Sequence, residues 1–124
     1  MNWSATGAFL LALGVALGAF GAHQLQERLD AYSMGLWEKA VFYHFIHALG
    51  LLIVALLPRT GTFGQPAASR VCLLLGVGIV IFSGSLYALA LTGQRYLGAI
   101  TPIGGVSLIA AWLLLTWYLM APKV

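Results

Sequence analysis

Charged side chains are scarce in this chain: its 124 residues include only six Lys and Arg and three Asp and Glu. The charged share is 7% and the apolar share 61%, whereas a soluble domain carries charge on about a quarter of its residues. Too few polar side chains are present to coat a water-soluble surface, so much of the chain must face hydrocarbon. The short length leaves no room for a separate soluble catalytic domain.

The sequence also lacks a basic cluster and a second cysteine. Since the basic residues are scattered singly, the net charge of +3 predicts no nucleic-acid partner. Cys72 is the only cysteine, which excludes an intramolecular disulfide and a zinc site built from cysteines alone. The basic residues are Arg28, Lys39, Arg59, Arg70, Arg95 and Lys123.

The few charges separate four long uncharged stretches. A helix needs roughly 20 apolar residues to cross a bilayer, and the stretches predict spans at about 5–22, 40–57, 71–91 and 99–120. The first stretch lacks a basic leading segment, which favours a retained helix over a cleaved signal peptide. We therefore expect an all-α membrane protein: one transmembrane domain over 1–124, folded as an up-down-up-down bundle with short links.

The connection between the first two spans is too polar to cross a membrane. Leu25, Leu29, Tyr32 and Leu36 repeat with a helical period, and acidic side chains lie mainly elsewhere. This pattern predicts a short amphipathic helix on the membrane surface over residues 24–38.

Basic residues do not decide the orientation. Three of them, Arg59, Arg70 and Lys123, fall on the side of the termini and three on the other side, so the positive-inside rule is balanced. We favour both termini in the cytoplasm.

Glycines mark predicted packing faces. Small residues let membrane helices approach closely, because lipid provides no hydrophobic force between them. The glycines serve either the inside of the bundle or a contact between subunits, and the sequence leaves both open. The predicted packing residues are Gly14, Gly18, Gly21, Gly84, Gly104 and Gly105.

The histidines are the strongest candidates for chemistry, since no charged side chain lies well inside a span. His44 and His47 share one face of the second helix, and His23 ends the first helix on the same side. We interpret them as interhelical hydrogen-bonding groups; metal or haem ligation by His23 and His47 is the alternative. No metal or other cofactor is predicted. The candidate polar cluster comprises His23, His44, His47, Ser83, Ser85, Tyr87 and Thr101.

Five strings, which form four motifs, occur in an order that resembles a known family. They are GAFGAH at 18–23, WEKAV and YHFIHAL at 37–49, FSGSLY at 82–87 and LGAITPIGG at 97–105. Together they resemble the small bacterial inner-membrane family typified by YgdD and YwdK, a domain of unknown function, from Gly14 to about Trp112. The resemblance implies a multi-pass protein of the bacterial inner (plasma) membrane and no established activity. It also implies Gln at position 44, where this chain has His44.

Three functions follow as expectations. The sequence contains no catalytic triad, phosphate-binding loop or carboxylate pair, which favours a non-enzymatic protein embedded in the lipid bilayer. Such a protein would associate with itself or serve as an accessory or scaffold of a larger membrane complex. The alternatives are a small oligomeric transporter or channel for a neutral or lipid-like solute, and the histidine-based metal or haem site.

Overall fold

The computed structural model describes residues 1–121, and all regular secondary structure in them is helical. Residues 122–124 of the predicted domain, which include Lys123, lie outside the described range. Each of the four long helices is long and apolar enough to cross a membrane, which confirms the predicted number of spans. They are α1 (Trp3–Phe20), α2 (Ala31–Leu56), α3 (Gln65–Thr92) and α4 (Thr101–Met120).

Side-chain caps and turn residues set the helix ends. The Asn2 side chain accepts a hydrogen bond from the Ala5 amide at the start of α1, and Asp30 caps the Ser33 amide of α2 in the same way. Gly93 ends α3 in a left-handed conformation, with φ of 71°. Pro102 lies in the first turn of α4, where no backbone donor is needed.

The predicted amphipathic helix over residues 24–38 does not form as a separate element. Gly21–Leu25 continue α1 as a π-helical turn, and 26–29 form a turn. Residues 31–38 are instead the first two turns of α2, so α2 begins nine residues before the predicted span. Asp30 starts this helix by capping it, and Gly35 does not interrupt it.

The apolar residues of that segment pack mainly inside the protein, and not as a separate surface helix. Leu25 is buried, and Leu29 and Leu36 pack around Trp37, which is 2% exposed. Tyr32, from the same predicted stripe, is 71% exposed. The stripe thus contributes to a small core at this end of the helices.

Consecutive helices make the extensive contacts: α1 with α2, α2 with α3, and α3 with α4. Along α1, Gly7 lies against Leu52 and Gly14 against Phe45. Later residues of α1 contact earlier residues of α2, so the two helices run antiparallel. An apolar stretch of 18 residues in α3 is 44% buried inside the protein, against 33% for the corresponding stretch of α2 and 17% for those of α1 and α4. The helix α3 is therefore the most buried of the four.

Candidate functional site

His44 joins three helices at the middle of the molecule. Its side chain is 2% exposed, and it lies near the midpoint of α2. The ring Nε2 donates a hydrogen bond to the Leu10 carbonyl of α1 at 2.7 Å, and the Tyr87 hydroxyl of α3 donates to Nδ1 at 2.9 Å. Because a carbonyl can only accept, this network assigns the hydrogen to Nε2. Both ring nitrogens of His44 therefore have hydrogen-bond partners.

The same kind of bond recurs between the other helix pairs. The Ser83 hydroxyl of α3 donates to the Ala40 carbonyl of α2, and the Ser107 hydroxyl of α4 donates to the Leu74 carbonyl of α3, each at 2.8 Å. The indole of Trp37 donates to the Leu17 carbonyl of α1 at 3.0 Å. A helical carbonyl has two lone pairs and can accept such a bond besides its own helical one. The three extensively packed pairs of helices are each connected in this way.

His47, one turn after His44, contacts other residues. Its Nδ1 donates to the Tyr43 carbonyl one turn earlier at 2.7 Å, and its ring stacks on the Tyr43 ring with 5.8 Å between centroids. Trp112 of α4 lies on its other side, at 5.9 Å between rings. Among residues 1–121, Nε2 of His47 has no hydrogen-bond partner.

The three histidines do not converge. His23 is exposed in the π-helical turn, and His44 contacts Leu10, thirteen residues earlier in the chain. The thirteen residues between Leu10 and His23 correspond to about 20 Å along a helix axis, so His23 lies far from the level of His44 on α1. Within the described part of the chain, no three metal-ligating side chains come together. The placement gives the histidine-based metal or haem alternative no support.

Ser85 and Thr101 form a pair of their own. Their hydroxyls are hydrogen-bonded across α3 and the start of α4, and Ser85 also bonds to the Phe82 carbonyl at 3.0 Å. The predicted polar cluster therefore separates into several contacts between neighbouring helices. Sequence reasoning missed Trp37, Ser107 and the role of main-chain carbonyls as their acceptors.

Three of the predicted packing glycines lie at close approaches. A Cβ at Gly104 would come within 2.8 Å of the Phe82 Cα, and one at Gly14 within 3.1 Å of the Phe45 ring. At Gly21 it would overlap the Trp37 indole. These glycines pack helices within one chain, which favours the internal reading of the glycine faces.

The other three predicted glycines are not at such approaches. A Cβ at Gly18 or Gly105 would make ordinary contacts, at 3.5 Å and 3.7 Å, and one at Gly84 would have no atom within 4 Å. Two further glycines, Gly50 and Gly78, lie at close approaches that the sequence did not predict. The Trp112 ring lies 2.5 Å from a Cβ built at Gly50, and Leu108 fills the space at Gly78. Their partners are distant in sequence, so spacing alone could not reveal them.

α1 also carries a row of small side chains that no other helix covers. Its members recur at spacings of three, four, four and three residues, which places them on one side of a helix. They lie away from the glycines that contact α2, and all five are exposed. We call this row the alanine face; it comprises Ala5, Ala8, Ala12, Ala16 and Ala19.

Comparison with known proteins places the chain in a family. Residues 17–105 match the family model described as "Protein of unknown function (DUF423)". The chain belongs to this family. It is 50% identical over 109 residues to a UPF0382 membrane protein of Staphylococcus haemolyticus, covering 88% of this chain and 87% of that one.

A second relative is the UPF0382 membrane protein YwdK of Bacillus subtilis, which is 44% identical over 109 residues, or 88% of each chain. No solved structure matches. The resemblance read from the sequence strings is thus confirmed. Together with the four apolar helices, these relatives identify the chain as an integral membrane protein of a family without a known role.

Proposed function

We propose that this chain is a non-enzymatic membrane protein that acts by association with a second copy of itself. The alanine face of α1 carries the proposal. Close packing of small side chains drives association between helices in lipid, and a repeated small-xxx-small pattern is self-complementary across a two-fold axis. Ala8, Ala12 and Ala16 provide that repeat on a side of α1 that faces away from the rest of the protein.

The internal polar side chains form hydrogen bonds with each other or with main-chain carbonyls, which supports a structural role. His44 and Tyr87 bond to each other, and His44 also bonds to a main-chain carbonyl. The Ser83 hydroxyl donates to the Ala40 carbonyl. These groups connect helices, and the transition-state contacts of an enzyme would require free donors or acceptors at a shared cavity.

Topology and location belong to the same proposal. The antiparallel contacts between α1 and α2 support an up-down-up-down bundle across the bacterial inner membrane. The short links from α2 to α3 and from α3 to α4 support it as well. All charged side chains between residues 1 and 121 are exposed. They lie near the ends of the spans, as expected for groups at the two membrane surfaces. Both termini then share one side of the membrane, and we propose that this side is the cytoplasm.

Cysteine crosslinking in native membranes tests the association. Single Cys substitutions at Ala8, Ala12 and Ala16 should give oxidised dimers of the full chain, since equivalent residues lie close across a two-fold axis. Substitution at Val106, an exposed site on α4, is the matched control and should give few. Cys72 can remain, because it is completely buried. Equal crosslinking at Ala12 and Val106 would refute an interface at the alanine face.

A second candidate function rests on two grooves between α1 and α3. The larger encloses about 500 Å³ beside Trp3, Leu73 and Gly76, and the smaller about 220 Å³ beside Leu13 and Gly84. His44, Ser83 and Tyr87 border the smaller groove, but the exposed lining of both grooves is almost wholly apolar. This surface suits a lipid-like solute and disfavours a hydrated one. Reconstituted chain that fails to accelerate the transfer of a fluorescent phospholipid between leaflets would remove this candidate.

A further inference from the structure

A polar cleft opens at the end of the bundle opposite the N-terminus. It encloses about 650 Å³ between the first turn of α2, the last turn of α3 and the short helix Arg95–Ala99 that precedes α4. Asp30 and Ser33 line one part of it, and Arg95 another. The cleft therefore holds a carboxylate and a guanidinium at the level where three spans end.

The part of the cleft around Asp30 suits a cation. One carboxylate oxygen accepts the Ser33 amide at 2.7 Å, and this hydrogen bond holds the pKa of Asp30 below its usual value, so the group is an anion at neutral pH. The Ser33 side chain also hydrogen-bonds to this carboxylate, which is exposed and lines the cleft. The last turn of α3 ends at Gly93 in the same cleft, and the C-terminal end of a helix carries partial negative charge.

The part around Arg95 suits an anion. Gly93 turns the chain through its left-handed conformation, and Arg95 follows it at the start of the short helix. A guanidinium presents a planar fork of donors that matches the oxygens of a phosphate. Leu89 supplies an apolar surface in the same cleft.

We propose that this cleft binds the head group of a zwitterionic phospholipid with a primary amine, of the phosphatidylethanolamine class. The ammonium group bonds to Asp30, the phosphate to Arg95, and the acyl chains descend past Leu89. The location fits, because head groups occupy the layer at which membrane spans end. This site is independent of self-association through α1.

Native mass spectrometry of the purified full chain tests the site. The detergent-solubilised protein is offered equal amounts of phosphatidylethanolamine, phosphatidylglycerol and phosphatidylcholine. We expect preferential retention of phosphatidylethanolamine, because the glycerol head group carries no cation and a quaternary ammonium has no N–H to donate. Arg95→Gln should weaken retention of phosphatidylethanolamine about tenfold, as expected for loss of a charge-assisted pair.

Asp30→Asn is the decisive variant. Asparagine caps a helix as well as aspartate does, so α2 keeps its start while the cleft loses its negative charge. The preference for phosphatidylethanolamine over phosphatidylglycerol should disappear. Glu27→Gln removes another exposed acid outside the cleft and should leave the preference intact.

Three results would overturn the proposal. The first is equal retention of phosphatidylethanolamine and phosphatidylglycerol by the unmodified chain, and the second is a preference that survives Asp30→Asn. The third is full displacement of the lipid by soluble glycerophosphoethanolamine at equal concentration, which would assign the cleft to a water-soluble amine phosphate instead. Crosslinking at Ala12 is unaffected by any of these outcomes, so this inference and the proposed function fail separately.

Discussion

At the scale of single residues, polar side chains hold apolar helices together. Trp37, His44 and Ser83 each donate to a carbonyl of a neighbouring helix. No water reaches such carbonyls in a bilayer core to compete for them. Each bond therefore helps to fix the relative position of two helices, together with the close approaches at the glycines.

The His44–Tyr87 bond has a measurable energy. A double-mutant cycle with His44→Phe and Tyr87→Phe, followed by unfolding in mixed micelles, should give a coupling of about 0.6 kcal/mol, and at most about 1.7 kcal/mol. The reason is that each single change removes the same bond. Additive effects of the two changes would contradict the bond.

His44→Gln is the conservative control for that cycle. A Gln amide has both a donor for the Leu10 carbonyl and an acceptor for the Tyr87 hydroxyl. We expect this variant to be more stable than His44→Phe. The resemblance to the family implies Gln at this position, and the two bonds of His44 explain in physical terms why the exchange can be tolerated.

Two glycines predicted alike from the sequence should respond in opposite ways. Gly104→Ala places a methyl group against the Phe82 main chain, and main chain cannot move aside as a side chain can. The expected loss is about 1–3 kcal/mol of unfolding free energy. Gly84→Ala meets no atom within 4 Å and should be neutral or slightly stabilising, since Ala favours a helix. Equal losses would contradict the packing of α3 on α4.

At the scale of elements, α2 departs most from the sequence-based prediction. Glu38 and Lys39 suggested the beginning of a span, yet the helix starts at Ala31 and carries both charges exposed on its side. Asp30 makes this long helix possible by capping it.

The cap should be sensitive to acid. Because the pKa of Asp30 is lowered in the folded chain from its usual 3.8, its contribution is complete above that value and is lost as the pH falls through the lowered pKa. The protection factor of the Ser33 amide, which is its exchange rate relative to an unfolded peptide at the same pH, should therefore be constant between neutral pH and about 5 and should fall at more acidic pH. In Asp30→Asn, which does not titrate, the acid-dependent loss should be absent; the same loss in both proteins would show that Asp30 is not its cause.

An element could be predicted where its formation depends on neighbouring residues in the sequence, and not where it depends on another helix. The four spans were predictable because hydropathy and charge act locally along the chain. The separate helix at 24–38 was wrong because periodicity cannot distinguish a surface helix from the first turns of a longer one. The choice between Gly84 and Gly104 also failed, since it depends on what the opposite helix presents.

The site was predictable to a similar extent. The residue types were found, and Tyr87 was placed with His44 in the predicted polar cluster. Leu10 was not, because a main-chain carbonyl leaves no trace in a sequence. The alanine face was not predicted, because the sequence does not show which side of the first helix its neighbours cover; in the structure the alanines are exposed.

At the scale of the whole molecule, the proposed topology fixes which loops share a membrane surface. With both termini in the cytoplasm, Thr62 lies on the cytoplasmic side and Gln94 on the outer side. Single Cys substitutions at these positions in intact cells should react differently with a membrane-impermeant maleimide. Gln94→Cys should be labelled and Thr62→Cys protected until the cells are opened. The reverse pattern would invert the orientation, and labelling of both would contradict the bundle topology.

The central claim is that the exposed alanine face of α1 joins two copies of the chain. Its most direct test is the association equilibrium in bilayers, measured by energy transfer between labelled copies as the protein is diluted into lipid. Ala12→Leu adds bulk to an exposed site without disturbing the monomer, and it should weaken association by about tenfold or more. Val106→Leu, which adds bulk to an exposed site on α4, should leave association unchanged. Equal association in the unmodified chain and Ala12→Leu would contradict the account.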